Sequence, residues 1–190
     1  MLMSLVSVQD TADPFSPAPQ PTTASDKRCH LLARVQVSKR MGISPRLGIR
    51  AKLSTKHGGH WGSTSGDSAK FGLGVRDIWR AVEMLRAADK LDCLQLLHYH
   101  IGSQIAQIRT IKEAMREASH VYAELCLLGA AMGYMDVGGG LGIDYDGTKG
   151  GDNSINYSIQ HYANDVVSAV HDACMQKRVP EPILVSDPTH

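Results

Sequence analysis

Short strand-like runs recur along most of this chain with a helical stretch between each pair, and that alternation restricts the fold more than any other feature. "RLGIRAKL" (Arg46–Leu53), "DCLQLLHYH", "GYMDVGGG" and "EPILVS" (Glu181–Ser186) are apolar runs bounded by turn residues, recurring every ~40–48 residues. "VRDIWRAVEMLRAADKL" (Val75–Leu91) repeats apolar residues at i, i+3, i+4 and i+7, the period of an amphipathic helix. "AQIRTIKEAMREASHVYAELCLLGA", ending near Gly129, and "YSIQHYANDVVSAVHDACMQK" are two further helices. "HLLARVQVSKRMGI" precedes the first strand and closes at Gly42, a plausible C-cap. Such βα alternation predicts a parallel sheet with right-handed crossovers, either an open doubly wound sheet or a (β/α)8 barrel. A complete barrel takes ~250 residues. The expectation here is therefore an α/β chain with a partial (β/α)8 barrel of about four βα units. In both architectures the chemistry lies at the carboxyl ends of the strands.

A length of 190 residues suits one domain with a sizeable core. The first 26 residues carry four prolines, many Ser and Thr, and no Lys or Arg, which fits neither a secretory signal nor an organelle transit peptide. Residues 1–28 are read as a disordered leader and 29–190 as the barrel domain. With 20 basic against 19 acidic residues and no charge blocks, neither nucleic acid nor a membrane surface is expected as a partner. No apolar run approaches the ~20 residues of a membrane span. Cys29, Cys93, Cys126 and Cys174 show no zinc spacing and read as reduced thiols, which places the protein as soluble and intracellular.

Alternation in "LLHYHIGSQI" puts His98 and His100 on one face. Two aligned imidazoles raise the possibility of a metal, but a site needs a third ligand and usually a carboxylate, and no HExxH spacing occurs. The preferred reading makes His98 a hydrogen-bonded interior residue, with no metal site. His100 ends its strand just before Gly102, where an imidazole can stack on a planar ring or exchange a proton. "DVGGGLGIDYDG" (Asp136–Gly147) follows the third strand directly. Its consecutive glycines let backbone amides approach an anion, although the spacing is neither the Rossmann nor the Walker pattern. Together with His100 and Ser103 they suggest a phosphate pocket with an aromatic lid, suited to a phosphorylated planar cofactor. Arg50, inside the first strand, must be paired or face a ligand. The loop from Ser54 to Leu73 is long enough to be functional or disordered. Within it Lys70 reads equally as a surface cation, and His57 and His60 as exposed.

The combination "RLGIRAKL…GSTSGDSAKFGL…LDCLQLLHYHIGSQI…DVGGGLGIDYDGTK…NYSIQHYAND" resembles the biosynthetic arginine decarboxylases of plants and bacteria. These are pyridoxal-phosphate enzymes of the alanine-racemase-like barrel class. The resemblance runs from about Val37 to Ser186 and implies decarboxylation of L-arginine to agmatine and CO2, in polyamine biosynthesis. His100 then corresponds to the catalytic histidine that stacks on the pyridine ring. Ser103, Gly138, Gly139 and Gly140 correspond to the phosphate-holding residues. Arg50 and Asp187 lie near the cofactor, Asp187 standing where the family has the glutamate that pairs with the pyridine nitrogen. Asp136, Asp144 and Tyr145 match the stretch associated with substrate. The resemblance also implies magnesium as a possible second cofactor, a homo-oligomer, and a cytoplasmic or plastid location. The family's cofactor-linking lysine and its C-terminal β-domain have no counterpart in this sequence, so the expectation is a fragment that is inactive alone. The alternative is a truncated relative that binds or regulates a full-length decarboxylase, or has no function.

Overall fold

The computed structural model describes residues 3–6, 24–55, 72–103, 105–142 and 156–186. In chain order the elements are β1 (Met3–Val6), α1 (Ala24–Met41), β2 (Arg46–Ala51), α2 (Val75–Ala87), β3 (Leu94–Tyr99), α3 (Ile108–Leu127), β4 (Tyr134–Asp136), α4 (Ile159–Lys177) and β5 (Ile183–Val185). All four expected strands form. Helix boundaries move by a few residues, and Asp92 falls in a 3-10 turn, Leu91–Cys93, ahead of β3. The span expected as a leader contains the four residues of β1 and the first turn of α1, which differs from a structureless reading at those positions. β1 is a proline-free run that precedes the four prolines, so it keeps the amides needed to pair with β2.

Strand order separates the two candidate architectures. The sheet reads β1-β2-β3-β4-β5, with every neighbouring pair parallel. Each strand lies beside its successor in sequence, and the order never reverses. A doubly wound sheet reverses at its switch point; an uninterrupted progression is the winding of a barrel. The partial-barrel expectation holds.

One sheet face packs against the helices. Leu47, Ile49, Leu97, Tyr99, Met135 and Val137 join a single buried cluster with Val82 and Leu85 of α2, Met115 and Tyr122 of α3, and Val166, Val170 and Cys174 of α4. Burying each such side chain contributes about 1.5–3 kcal/mol. Tyr99 makes its hydroxyl contact with the Met115 sulfur on this side, and burial drives its phenol pKa well up. Cys93, Cys126 and Cys174 are free thiols, each raised in pKa chiefly by burial.

A bulge sets what the other face carries. Leu47 pairs with Leu94, yet Gly48 pairs with Leu96, so Gln95 is the extra residue of β3. Without it, the alternation that buries Leu94 among the helices would send His98 into the same layer. The bulge returns His98 to the opposite face, level with Arg50 of β2 and Asp136 of β4.

Candidate functional site

Arg50, His98 and Asp136 form one row across three adjacent strands, at or next to their carboxyl ends. His98 Nδ1 lies 3.0 Å from Asp136 Oδ2, off the line of a hydrogen bond, so the contact becomes an ion pair only when the imidazole is protonated. Asp136 Oδ1 accepts the Gly138 amide at 2.8 Å. One carboxylate thus turns the chain from β4 into the glycine loop and faces β3 as well. Burial lowers the Arg50 pKa, while the Asp136 charge acts in the opposite sense.

The loops after β3 and β4 meet at this rim. Gly138 and Gly140 take positive φ, +69° and +85°. A Cβ at Gly138 would lie 2.7 Å from Tyr99 O, and one at Gly140 only 1.9 Å from Gly102 O. Glycine is needed at both because backbone, not a movable side chain, fills the space. The Ile105 amide donates to Gly140 O at 3.0 Å, and Ile105 and Leu141 form a parallel bridge. Ser103 is exposed beside this contact, with its Cα 3.2 Å from the would-be Gly140 Cβ. Just after β5, Ser186 Oγ donates to Gly138 O at 3.3 Å, and the Val137 amide donates to Val185 O at 2.9 Å. The Tyr162 phenol of α4, hydrogen-bonded to Ser186, has its pKa raised mainly by burial.

His100 stands beside Gly138, its Nδ1 3.5 Å from the position of that absent Cβ. Burial, then the Arg50 charge and His98, lower its pKa; Asp136 opposes them. The folded imidazole therefore holds its proton less tightly than the unfolded one, whose ordinary value is 6.5. In that window the unfolded chain binds more protons, so stability rises with pH. Acidification from about pH 7 to about pH 5 should lower the melting temperature, and His100→Asn should remove part of that slope. Thermal melts of both proteins at the two pH values check this; identical slopes would contradict it.

Of the expected site residues, Arg50, His100, Ser103, Asp136, Gly138, Gly139 and Gly140 lie on this rim. Asp144, Tyr145 and Asp187, with Lys70, His57 and His60, lie outside the described residues. Among the described residues no group of three or more His, Cys, Asp or Glu is placed to hold a metal, and no helix is long and apolar enough to cross a membrane. Three contributors escaped the reading of the sequence. His98 is expected from the sequence as a hydrogen-bonded interior residue, and strand register alone discloses that it faces Asp136. Glu117 of α3 accepts the Ser54 amide at 2.6 Å, the Thr55 amide at 3.1 Å and the Thr55 hydroxyl at 3.0 Å, anchoring the chain where it leaves β2. Tyr157 joins the two rim loops. Glu117 reads locally as a helix-surface glutamate, and Tyr157, although it stands in the quoted "NYSIQHYAND", carries no local sign of the two loops it joins.

A sequentially wound parallel sheet with a glycine loop and an imidazole at its carboxyl rim defines a β/α-barrel domain of the kind that works at its strand ends. The chain belongs to the pyridoxal-dependent decarboxylases: the profile of that family's pyridoxal binding domain matches residues 24–188. It is 53% identical over 169 residues to biosynthetic arginine decarboxylase 1 of Synechocystis sp., covering 88% of this chain and 24% of the relative. It is 57% identical over 154 residues to the biosynthetic arginine decarboxylase of Thermosynechococcus vestitus, covering 80% and 24%. The crystal structure of the Campylobacter jejuni biosynthetic arginine decarboxylase superposes with a TM-score of 0.72 at 30% identity, over 85% of this chain and 26% of that one. Diaminopimelate decarboxylase of Helicobacter pylori shares the fold, with a TM-score of 0.69 at 24% identity, over 84% and 37%. The chain spans about a quarter of the length of the curated relatives it matches.

The residues present fit a pyridoxal phosphate. Cβ atoms are missing where the two rim loops touch, a hydroxyl stands beside the glycine backbone, and a half-buried imidazole flanks them.

Proposed function

We propose that this chain forms the cofactor-binding part of a biosynthetic arginine decarboxylase, acting on L-arginine to give agmatine and CO2 in polyamine biosynthesis. The observation that carries this reading is identity of 53–57% to biosynthetic arginine decarboxylases across 80–88% of the chain. Pyridoxal phosphate, when bound, supplies a pyridinium ring that takes up the electron pair left as the carboxylate departs. The protein's part is to bind, orient and balance charge. In this reading Ser103 and the backbone of Gly138–Gly140 hold the phosphate, and His100 stacks on the ring. A lowered pKa keeps His100 neutral near pH 7, so it offers a flat aromatic face without adding a second positive charge beside Arg50. Arg50 and Asp187 set the charge around the ring, and Asp144 and Tyr145 serve the substrate. Asp136, grouped with substrate by resemblance, supports the loop through Gly138 and His98.

The test has two arms. Titration into this 190-residue chain should show pyridoxal 5′-phosphate binding more tightly than pyridoxal, which lacks the phosphate. A full-length protein carrying this segment should release agmatine and CO2 from arginine, and His100→Ala should lower turnover at least about tenfold. Absence of agmatine, or an unaffected His100→Ala variant, overturns the reading. The same preparation tests the remaining expectations, magnesium by chelation and a homo-oligomer by light scattering.

A further inference from the structure

We infer that Asn156 and Tyr157 form a clasp that positions the phosphate-holding rim, Tyr157 acting as a positioning residue for the cofactor phosphate; the inference rests on the pyridoxal-phosphate reading above. Tyr157 is 8% exposed, and its hydroxyl serves both loops at once. It donates to Ile105 O at 2.6 Å, in the loop after β3, and accepts the Gly142 amide at 3.2 Å, in the loop after β4. Ile105 is therefore held at both ends of its peptide groups, by Gly140 O at its amide and by Tyr157 at its carbonyl. Gly140 is the residue that touches the Gly102–Ser103 turn, so the hydroxyl stands one residue pair behind the contact between the two phosphate-holding loops.

Asn156 extends the grip. Its amide donates to Ala106 O at 3.1 Å, its Nδ2 to Gln107 Oε1 at 2.7 Å, and its Oδ1 accepts the Ile108 amide at 2.9 Å. That last bond satisfies the first amide of α3, whose own N-cap side chain makes no such bond. Residues 105–108 and 142 are thus tied to one dipeptide from a third segment. Among the described residues no hydrogen bond joins either clasp side chain to Ser103 or Gly138, so its effect reaches the phosphate through loop geometry.

A phosphate held by backbone amides is sensitive to sub-ångström loop displacement, whereas a ring packed against an imidazole is less so. Tyr157→Phe keeps the buried ring and removes only the hydroxyl. The experiment is titration of the wild-type chain and Tyr157→Phe with pyridoxal 5′-phosphate and, separately, with pyridoxal, well below the melting temperature of both proteins. The expected result is about tenfold weaker binding of the phosphorylated form and less than about twofold change for pyridoxal. Equal weakening of both ligands makes Tyr157 merely structural and overturns the inference, as does unchanged binding of the phosphorylated form. If the wild-type chain does not distinguish the two ligands, the cofactor reading itself fails and takes the inference with it. Should Tyr157→Phe not fold, Asn156→Ala, altered on the exposed side of the same clasp, is read by the same ratio.

Discussion

Gly140→Ala is expected to destabilise the protein by at least about 3 kcal/mol and to separate the loops after β3 and β4. The new Cβ would stand 1.9 Å from Gly102 O, 3.0 Å from Gly102 C and 3.2 Å from Ser103 Cα. All three are close-packed backbone or Cα atoms, so no side chain can swing aside. Alanine at φ +85° adds strain of about 1–2 kcal/mol. The loops can relieve the clash only by parting, which breaks the bond from the Ile105 amide to Gly140 O. Gly42→Ala is the matched control, because Gly42 also has positive φ, +66°, but no atom beyond its own chain neighbours lies within 4 Å of its would-be Cβ. That variant should lose only the strain, about 1 kcal/mol. Urea unfolding measures both, and hydrogen exchange at Ile105 reports the loop contact. Similar losses for the two variants would show that the clash, and with it the close approach of the loops, is not real.

Asp136→Ala should cost about 2–4 kcal/mol, the second large effect. Three partners depend on this carboxylate. It accepts the Gly138 amide, it lies 3.0 Å from His98 Nδ1, and its charge opposes the burial of the Arg50 guanidinium. Alanine leaves the Gly138 amide without its side-chain acceptor and puts Arg50 beside two imidazoles with no carboxylate facing them from β4. Asp136→Asn separates the contributions, since its Oδ1 can still accept from Gly138 while the charge is lost. A smaller loss is expected for Asn than for Ala. The charge also acts on His100, where Asp136 raises a pKa that burial and Arg50 lower. In both variants the His100 imidazole should titrate lower than in the wild type, a change that proton NMR resolves. An unchanged His100 titration would mean that the row across β2, β3 and β4 is not electrostatically connected.

Much of this architecture is legible in the sequence because it follows from local periodicity. The i, i+3, i+4 repeat of Val75–Leu91 and the short apolar runs at Arg46 and Leu94 are set by burial along single elements, and the elements formed where their periods put them. The glycines of "DVGGG" and the imidazole of "HIGSQ" could be singled out for a similar reason, since both stand immediately after a strand. The His98–Asp136 contact, the Glu117 anchor and the Tyr157 bridge could not. They join residues 38 positions apart, 62 and 63 apart, and 15 and 52 apart, respectively, and no periodicity carries information across such separations. Parity was the subtler case. Strict alternation would have grouped His98 with Leu94, and only the extra residue Gln95 assigns them to opposite faces.

By itself the sequence determined the α/β alternation, the positions of the elements, the glycine and histidine markers at the strand ends, and through its motifs the decarboxylase family. The tertiary structure decided that the sheet winds without reversal, that Arg50, His98 and Asp136 stand in one row, and that Gly140 and Gly102 meet with no room for a methyl group. The division has one physical cause. Local structure follows from how a segment buries its own apolar face, while register, winding and loop contact depend on distant segments filling the same space, and only their packing against one another selects a single arrangement.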